Sequence, residues 1–146
     1  MYHRWAALAL VLALWSFSPK SAAGQTASQP EQQQPRGRKS GTLGQNYPNP
    51  FKPDTYIPFT IDDCNGAGGQ HVVTLRVYNV LAQQVATPVL HGTDRPILNM
   101  RLSCGEYTGF WNGRVDRSRR PAASGVYLYE LVVTGQRTSR KMFVSK

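Results

Sequence analysis

Two cysteines are the residues of this chain best placed to form a covalent cross-link. Cys64 and Cys104 are its only cysteines and lie 40 residues apart. An even cysteine count favours pairing if the chain reaches an oxidising compartment, and a bridge across a loop of this length would stabilise the fold by roughly 4 kcal/mol. Two unpaired thiols are the alternative. A metal site is disfavoured because the chain has no Cys-x-x-Cys spacing and only His71 and His91 beyond position 3.

No group of titratable side chains has the spacing of an active site. His91 and Asp94 superficially resemble part of a catalytic triad, but a lone loop histidine is usually solvated. Asp62 and Asp63 do not have the spacing of a calcium loop. The glycine-rich stretch 65–69 precedes a predicted strand and lacks the Lys-Ser/Thr ending of a phosphate loop. The sequence therefore predicts a non-catalytic protein that needs no metal or cofactor.

The densest run of positive charge is the segment 114–120. Tyr127 and Tyr129 follow it, so these residue types fit the hypothesis of a nucleic-acid surface. A solvated hairpin loop explains the same residues more simply, and an exported protein rarely meets nucleic acid. We therefore expect no nucleic-acid partner.

Residues 1–24 have the composition of a signal peptide. Arg4 is the only charge before an apolar run of about 11–13 residues, which is too short to span a bilayer, and small residues follow at 21–24. Cleavage there removes Arg4 and Lys20, which lowers the formal charge from +9 to +7. A chain this basic adheres to anionic surfaces. No later stretch approaches about 18 apolar residues, so we expect no transmembrane segment in the mature chain.

The remainder divides into a linker and one domain. Residues 25–42 are rich in Gln, Pro, Ser and Gly and contain no aliphatic side chain larger than Ala, which predicts a disordered linker. Residues 43–146 are enough for one compact domain but not for two, so a large multidomain enzyme is excluded.

From Leu43 onward the apolar residues recur with a period of two. The predicted strands lie around 57–61, 73–77, 85–89, 107–111, 126–133 and 142–144. Each is short and bounded by Gly, Pro, Asn or Asp, and no window shows a helical stripe. This pattern predicts an all-β antiparallel sandwich of about seven strands, with Trp111 in its core. Pro58 lacks an N–H, so we expect its strand to be an edge strand or to be bulged there.

Five stretches, taken together and in this order, resemble the type A C-terminal sorting domain of the bacterial type IX secretion system. They are residues 43–53, 75–82, 107–113, 124–131 and 140–146. This family is related to the Ig-like domain of the flagellar hook-capping protein, and the resemblance covers 43–146. It implies an Ig-like β-sandwich in which Tyr47 and Phe51 clamp the sandwich edge. The sorting-motif residues by resemblance are Pro48, Asn49, Pro50, Tyr78, Gly125, Tyr127, Lys141, Met142 and Lys146.

The sequence departs from the family pattern at several turns. Ala82 stands where the family has Gly, so we expect a different turn there, and Asn112 replaces the usual Asp before Gly113. Arg119 ends a turn that the family closes with Gly. The segment 96–102 is an insert that we expect to add an edge strand. Family members also carry a large cargo domain upstream, where this sequence has the signal peptide and linker.

The resemblance implies a non-catalytic address. The chain would pass through the periplasm and be carried by the outer-membrane secretion machinery to the cell surface or the medium. The resemblance implies that the domain would there be removed or linked to lipopolysaccharide. The alternative is a stand-alone extracellular Ig-like module that binds anionic polysaccharide or another cell-surface partner, which the positive charge and short upstream segment favour.

Overall fold

The computed structural model describes residues 39–64 and 69–146, which form nine strands. The predicted signal peptide, linker residues 25–38 and most of the 65–69 stretch lie outside the described residues. The strands are β1 (Gly41–Leu43), β2 (Thr55–Ile61), β3 (Gln70–Tyr78), β4 (Gln84–Ala86), β5 (Val89–Leu90), β6 (Met100–Ser103), β7 (Gly105–Trp111), β8 (Gly125–Val133) and β9 (Gln136–Val144).

The strands form two antiparallel sheets that pack face to face, which confirms the predicted all-β sandwich. The four-stranded sheet has the order β1-β2-β7-β5. The five-stranded sheet has the order β4-β3-β8-β9, and β6 also pairs with β3. The described residues form nine strands rather than about seven. The count exceeds the expectation because it includes β1, β4, β5 and β6, which are only two to four residues long.

Alternation along the long strands builds the core, as the period of two predicts. Inward residues of both sheets are almost fully excluded from solvent, while their neighbours in sequence face outward. Trp111 is buried and donates its indole N–H to the carbonyl of Arg114 at 2.9 Å. The core side chains are Leu43, Phe51, Ile57, Phe59, Ile61, Val73, Leu75, Val77, Ala86, Ile97, Met100, Leu102, Trp111, Tyr127, Tyr129, Leu131, Val133 and Met142.

The expectation that Pro58 marks an edge or bulged strand is wrong, because β2 lies between β1 and β7 and pairs with β7 without a register shift. β2 pairs with β7 along its whole length, but its pairing with β1 ends at Leu43–Phe59. Beyond that pair, the Gly44 N–H still donates to the Pro58 carbonyl at 2.8 Å, and Tyr47 and Tyr56 then form an isolated bridge. The missing N–H of Pro58 falls where the β1–β2 ladder has already ended, so it breaks no ladder. The chain between Leu43 and Tyr47 is therefore free to leave the sheet.

The predicted run around Val85 and Val89 is divided between the two sheets. β4 pairs with β3, whereas β5 pairs with β7. The insert 96–102 adds an edge strand as expected, since Met100 to Ser103 pair with the first half of β3. The insert also contributes Ile97, which is fully buried.

Cys64 and Cys104 form a disulfide, with their Cα atoms 5.7 Å apart. Cys64 follows β2, and Cys104 lies at the point where the chain passes from β6 in one sheet to β7 in the other. The bridge therefore holds the crossover against the end of the four-stranded sheet.

We expect the double variant Cys64→Ala/Cys104→Ala to lower the free energy of unfolding by about 3–4 kcal/mol, because the bridge restricts a long loop of the unfolded chain. Urea denaturation measures this loss. Dithiothreitol should bring the wild-type midpoint to that of the variant and leave the variant unchanged. Two freely alkylatable thiols in the native protein would contradict the assignment.

The turn at Ala82 is the type that favours glycine, so the expectation of a different turn is wrong. Ala82 has a φ of 57°, in the left-handed region, and Arg119 has a φ of 56° in its own turn. The Asn79 side chain accepts the N–H groups of Leu81 and Gln83, both at 3.0 Å. This side chain fixes the turn without glycine at position 82.

We expect Ala82→Gly to raise the free energy of unfolding by up to about 1 kcal/mol, because glycine adopts this backbone conformation without a Cβ clash. Chemical denaturation gives the value. The matched control is Ala86→Gly in β4, which should destabilise because it removes a buried methyl group and loosens a strand. A loss of stability in Ala82→Gly would mean that strain at this position is negligible.

Asn112 stabilises the turn at the position where the family has Asp. Its Oδ1 accepts the N–H of Arg114 at 3.1 Å. Gly113 has a φ of 67°, and a Cβ at this position would overlap the carbonyl of Pro53. Glycine is thus required there both by the backbone conformation and by the close approach of the chain before β2.

Candidate docking surface at the terminal strand

Residues 44–53, which we call the proline-rich segment, connect β1 to β2 and reach into the sandwich through a buried polar contact. The N–H of Asn46 donates to the hydroxyl of Tyr129 at 3.0 Å, and that hydroxyl donates to the carbonyl of Gly44 at 2.8 Å. Asn46 is 2% exposed and Tyr129 is fully buried. One side chain of β8 therefore satisfies two main-chain groups of the segment.

The Asn46 side chain continues this network towards the first proline. Its Nδ2 donates to Thr55 Oγ1 at 3.0 Å and to the carbonyl of Pro48 at 3.1 Å. Thr55 Oγ1 also donates to the Pro48 carbonyl at 3.1 Å. Pro48 is held through its main chain, while its ring remains exposed.

Burial raises the pKa of Tyr129, and two smaller effects oppose the rise: the hydrogen bond from Asn46 and the positive charge of Arg140. Arg140 itself donates from Nε to the carbonyl of Leu43 at 2.7 Å. Burial likewise raises the pKa of Tyr127, against the effect of its hydrogen bond to Ala123. Both tyrosines are thus neutral donors at ordinary pH.

The second half of the proline-rich segment lies along the outer edge of the terminal strand β9. Asn49 Oδ1 accepts the N–H of Phe143 at 2.9 Å. The N–H of Phe51 donates to the Phe143 carbonyl at 3.0 Å, and Ser145 donates back to the carbonyl of Phe51 at 3.0 Å. The stretches 43–53 and 140–146 are therefore one continuous piece of the surface.

The expected clamp of two aromatic rings is only half right. The Phe51 ring is buried and meets Trp111 edge to face at 5.3 Å between ring centroids. Tyr47 is 53% exposed and stacks on Tyr56, on the outer side of the four-stranded sheet. Phe51 closes the sandwich, whereas Tyr47 does not enter it.

The structure separates the other residues of the predicted motif into buried and exposed sets. Met142 is fully buried opposite Tyr127 in the β8–β9 ladder, so both support the fold and are not surface contacts. Gly125 begins β8 opposite Val144. Lys141, Lys146 and Pro50 are exposed.

Tyr78 lies apart from the terminal strand but on the same face as Lys141. It ends β3 opposite Leu128, which in turn lies opposite Lys141 in β9. The Tyr78 hydroxyl is 3.4 Å from Glu130 Oε1, and Arg137 lies 3.5 Å from the other oxygen of that carboxylate.

The outer side of β8 and β9, which we call the terminal face, combines apolar and basic side chains. Val126 and Phe143 are cross-strand neighbours and are 38% and 45% exposed. Leu128 and Lys141 form the next outward pair. Exposed aromatic residues are enriched in protein contact surfaces, and Phe143 is one of them.

The remaining candidate residues do not assemble into reactive groups. His91 is exposed and lies edge-on to Tyr56, and no group of three or more His, Cys, Asp or Glu within 39–64 and 69–146 is arranged to hold a metal ion. His71 hydrogen-bonds Thr134 at 2.8 Å and the carbonyl of Asp63 at 3.0 Å. No helix in the described part of the chain is long and apolar enough to cross a membrane.

The sequence analysis did not identify three residues that form the hydrogen-bond network and the exposed ring of this surface. They are Asn46, Thr55 and Phe143. Asn46 and Thr55 are polar, so the alternation of apolar residues does not mark them as buried. A sequence sign does exist for Asn46, because Asn side chains often hydrogen-bond the main chain two residues on, which here is Pro48. Phe143 sits at an outward position of β9, where the same alternation predicts a polar residue.

Comparison with known proteins yields no match: no family model, no curated protein and no solved structure corresponds to this chain.

We expect Tyr129→Phe to lower the free energy of unfolding by about 1–3 kcal/mol at neutral pH, because it leaves Asn46 N–H and the Gly44 carbonyl buried without their partner. Burial raises the pKa of Tyr129, so the unfolded chain releases this proton first. Its stabilising effect is complete below about pH 10 and is lost as pH rises through the folded value.

Urea denaturation between neutral pH and pH values above 10 measures both effects, and the variant should show the shallower decline. Tyr78→Phe is the matched control, since its half-buried hydroxyl makes only a long contact to Glu130. Equal losses in the two variants would contradict a special role for Tyr129.

Proposed function

We propose that residues 43–146 act as a type IX sorting domain, which directs the exported chain across the outer membrane by binding and not by catalysis. The observation that supports this most is the hydrogen-bonded union of the stretches 43–53 and 140–146. These are the two ends of the region that resembles the family, and residues 49–51 of the first pair along β9, the edge strand of the five-stranded sheet. Part of the resemblance thus falls on one continuous surface and not only on scattered core positions.

In this proposal the terminal face is the surface that contacts the secretion machinery. Phe143 supplies a large exposed apolar group, and aromatic residues of this kind contribute most to many interfaces. Lys141 and Lys146 supply positive charge, which accelerates the approach to an acidic partner. The buried residues Met142 and Tyr127 act indirectly, because they hold β9 against the core.

The order of events follows from the chemistry of the chain. The signal peptide would bring the chain to the periplasm, where an oxidising environment allows the Cys64–Cys104 bridge to form. The folded domain would then dock on the outer-membrane machinery. Removal of the domain or its linkage to lipopolysaccharide would complete the passage to the cell surface.

A fluorescent reporter inserted between residues 38 and 39 of the full chain tests this proposal. We expect the reporter to leave cells that have the type IX machinery and to stay periplasmic in cells that lack it. Lys141→Ser/Lys146→Ser should reduce the exported fraction several-fold, while the stability changes by no more than about 0.5 kcal/mol because both side chains are exposed.

The matched control removes the same amount of charge elsewhere. Arg101→Ser/Arg117→Ser changes exposed residues of β6 and of the loop before β8, so export should continue at the wild-type level. Cell fractionation and thermal melting of the purified variants separate a sorting defect from unfolding. A wild-type reporter that stays periplasmic in the competent host would refute the sorting function.

A further inference from the structure

The outer side of the four-stranded sheet, opposite the core, carries a row of aromatic rings. Tyr47 pairs with Tyr56, and Tyr56 pairs with Phe110, so the three side chains lie side by side across neighbouring strands. Tyr47 and Tyr56 stack with their centroids 5.6 Å apart, and Tyr56 and Phe110 follow at 5.5 Å. The His91 ring stands edge-on to Tyr56 at 5.1 Å. We call these four residues the aromatic row.

The aromatic row remains exposed to solvent, although burial of its rings would stabilise the fold further. Tyr47 is 53% exposed and His91 is also exposed, while Tyr56 and Phe110 are half-buried. These rings do not contribute to the core, because Thr55, Ile57 and Trp111 fill the inward side of the same sheet. A contiguous aromatic surface of this kind is typical of a binding site.

Two shallow depressions of about 640 and 530 Å³ flank the row and share His91. Volumes of this size match those of small-ligand sites, which combine aromatic walls with a few polar groups. The first depression contains the hydroxyls of Thr60 and Thr108 and the carboxylate of Glu106. The second contains Thr93 and Asp94.

We propose that this surface binds an uncharged glycan chain. A pyranose ring has an apolar face of C–H groups and a rim of hydroxyls, which match the aromatic rings and the hydroxyl and carboxylate groups beside them. Carboxylates such as Asp94 and Glu106 are strong acceptors for sugar hydroxyls. The row runs across the strands and all four of its side chains are at least partly exposed, so it suits a chain of several sugars.

The charge of the residues that line the two depressions favours an uncharged glycan over an anionic polysaccharide. Neither depression is lined by a Lys or Arg among the described residues, whereas Glu106, Asp94 and Asp116 all line them. A uronic acid or phosphate group would therefore be repelled here despite the positive net charge of the chain. A cationic ligand is disfavoured by the ring geometry, since rings 5.1–5.6 Å apart pack on one another and leave no cage between them.

Titration of the purified chain with uncharged hexasaccharides of glucose, mannose and N-acetylglucosamine tests the proposal, with hexagalacturonate as the anionic probe. We expect at least one uncharged hexasaccharide to bind and to shift the NMR signals of Tyr47, Tyr56 and Phe110. The affinity should change less than about twofold between low and high salt, because the interaction is not between net charges.

Tyr47→Ala should weaken this binding about tenfold, which corresponds to about 1.4 kcal/mol. Phe143→Ala is the matched control, since it removes a similarly exposed ring from the other sheet and should leave glycan affinity unchanged. Asp94→Lys/Glu106→Lys should gain affinity for hexagalacturonate. Thermal melting of each variant verifies that it is folded.

Failure of all three uncharged hexasaccharides to bind at millimolar concentration would overturn the proposal. So would binding whose NMR shifts map away from the aromatic row, or tighter binding of hexagalacturonate to the wild-type row. The experiment needs no secretion machinery, so its outcome is independent of the sorting function.

Discussion

The hydroxyl of Tyr129 is the contact on which the arrangement of the surface depends. It reaches from β8 of one sheet to Asn46 and Gly44, which continue a strand of the other. Without it, a buried donor and a partly buried acceptor would lose their partner, which would destabilise the fold. The contact fixes where the proline-rich segment turns, and hence where Asn49 and Phe51 meet β9. That meeting covers part of an edge strand that would otherwise expose its hydrogen-bonding groups to other chains.

The two outer faces of the sandwich differ in chemistry, which argues for separate roles. The terminal face combines Phe143 and Val126 with Lys141, whereas the aromatic row lies beside Glu106 and Asp94. Net charge hides this difference, because a single value averages over both sheets. An argument from net charge alone would assign an anionic ligand to the whole surface. The distribution of charges instead restricts such a ligand to the side of the five-stranded sheet.

Much of the fold follows from the sequence because one rule, alternation, governs the long strands. It predicted the alternation of β2, β3 and β7 and the position of β8, and the cysteine count favoured the bridge. Alternation failed for the polar residue Asn46, whose burial depends on a tyrosine 83 positions later. Alternation also did not predict the aromatic row, because the register between strands determines that Tyr47, Tyr56 and Phe110 are neighbours. The left-handed turn at Ala82 was missed because the Asn79 side chain, not the residue itself, stabilises the conformation.

The proline-rich segment connects both candidate surfaces, because its successive residues lie on opposite sides of the chain. Asn46 is buried in the sandwich, where its main-chain N–H donates to the Tyr129 hydroxyl, and the next residue, Tyr47, points outward to begin the aromatic row. Further along, Asn49 and Phe51 turn to the terminal strand. The end of the β1–β2 ladder beside Pro58 makes this path possible, because the segment leaves the ladder where β2 has no N–H to offer. A single short stretch therefore sets the position of an exposed ring on one sheet and of the terminal strand on the other. A change that moves its backbone would disturb both surfaces, whereas a change confined to an exposed side chain would disturb only one.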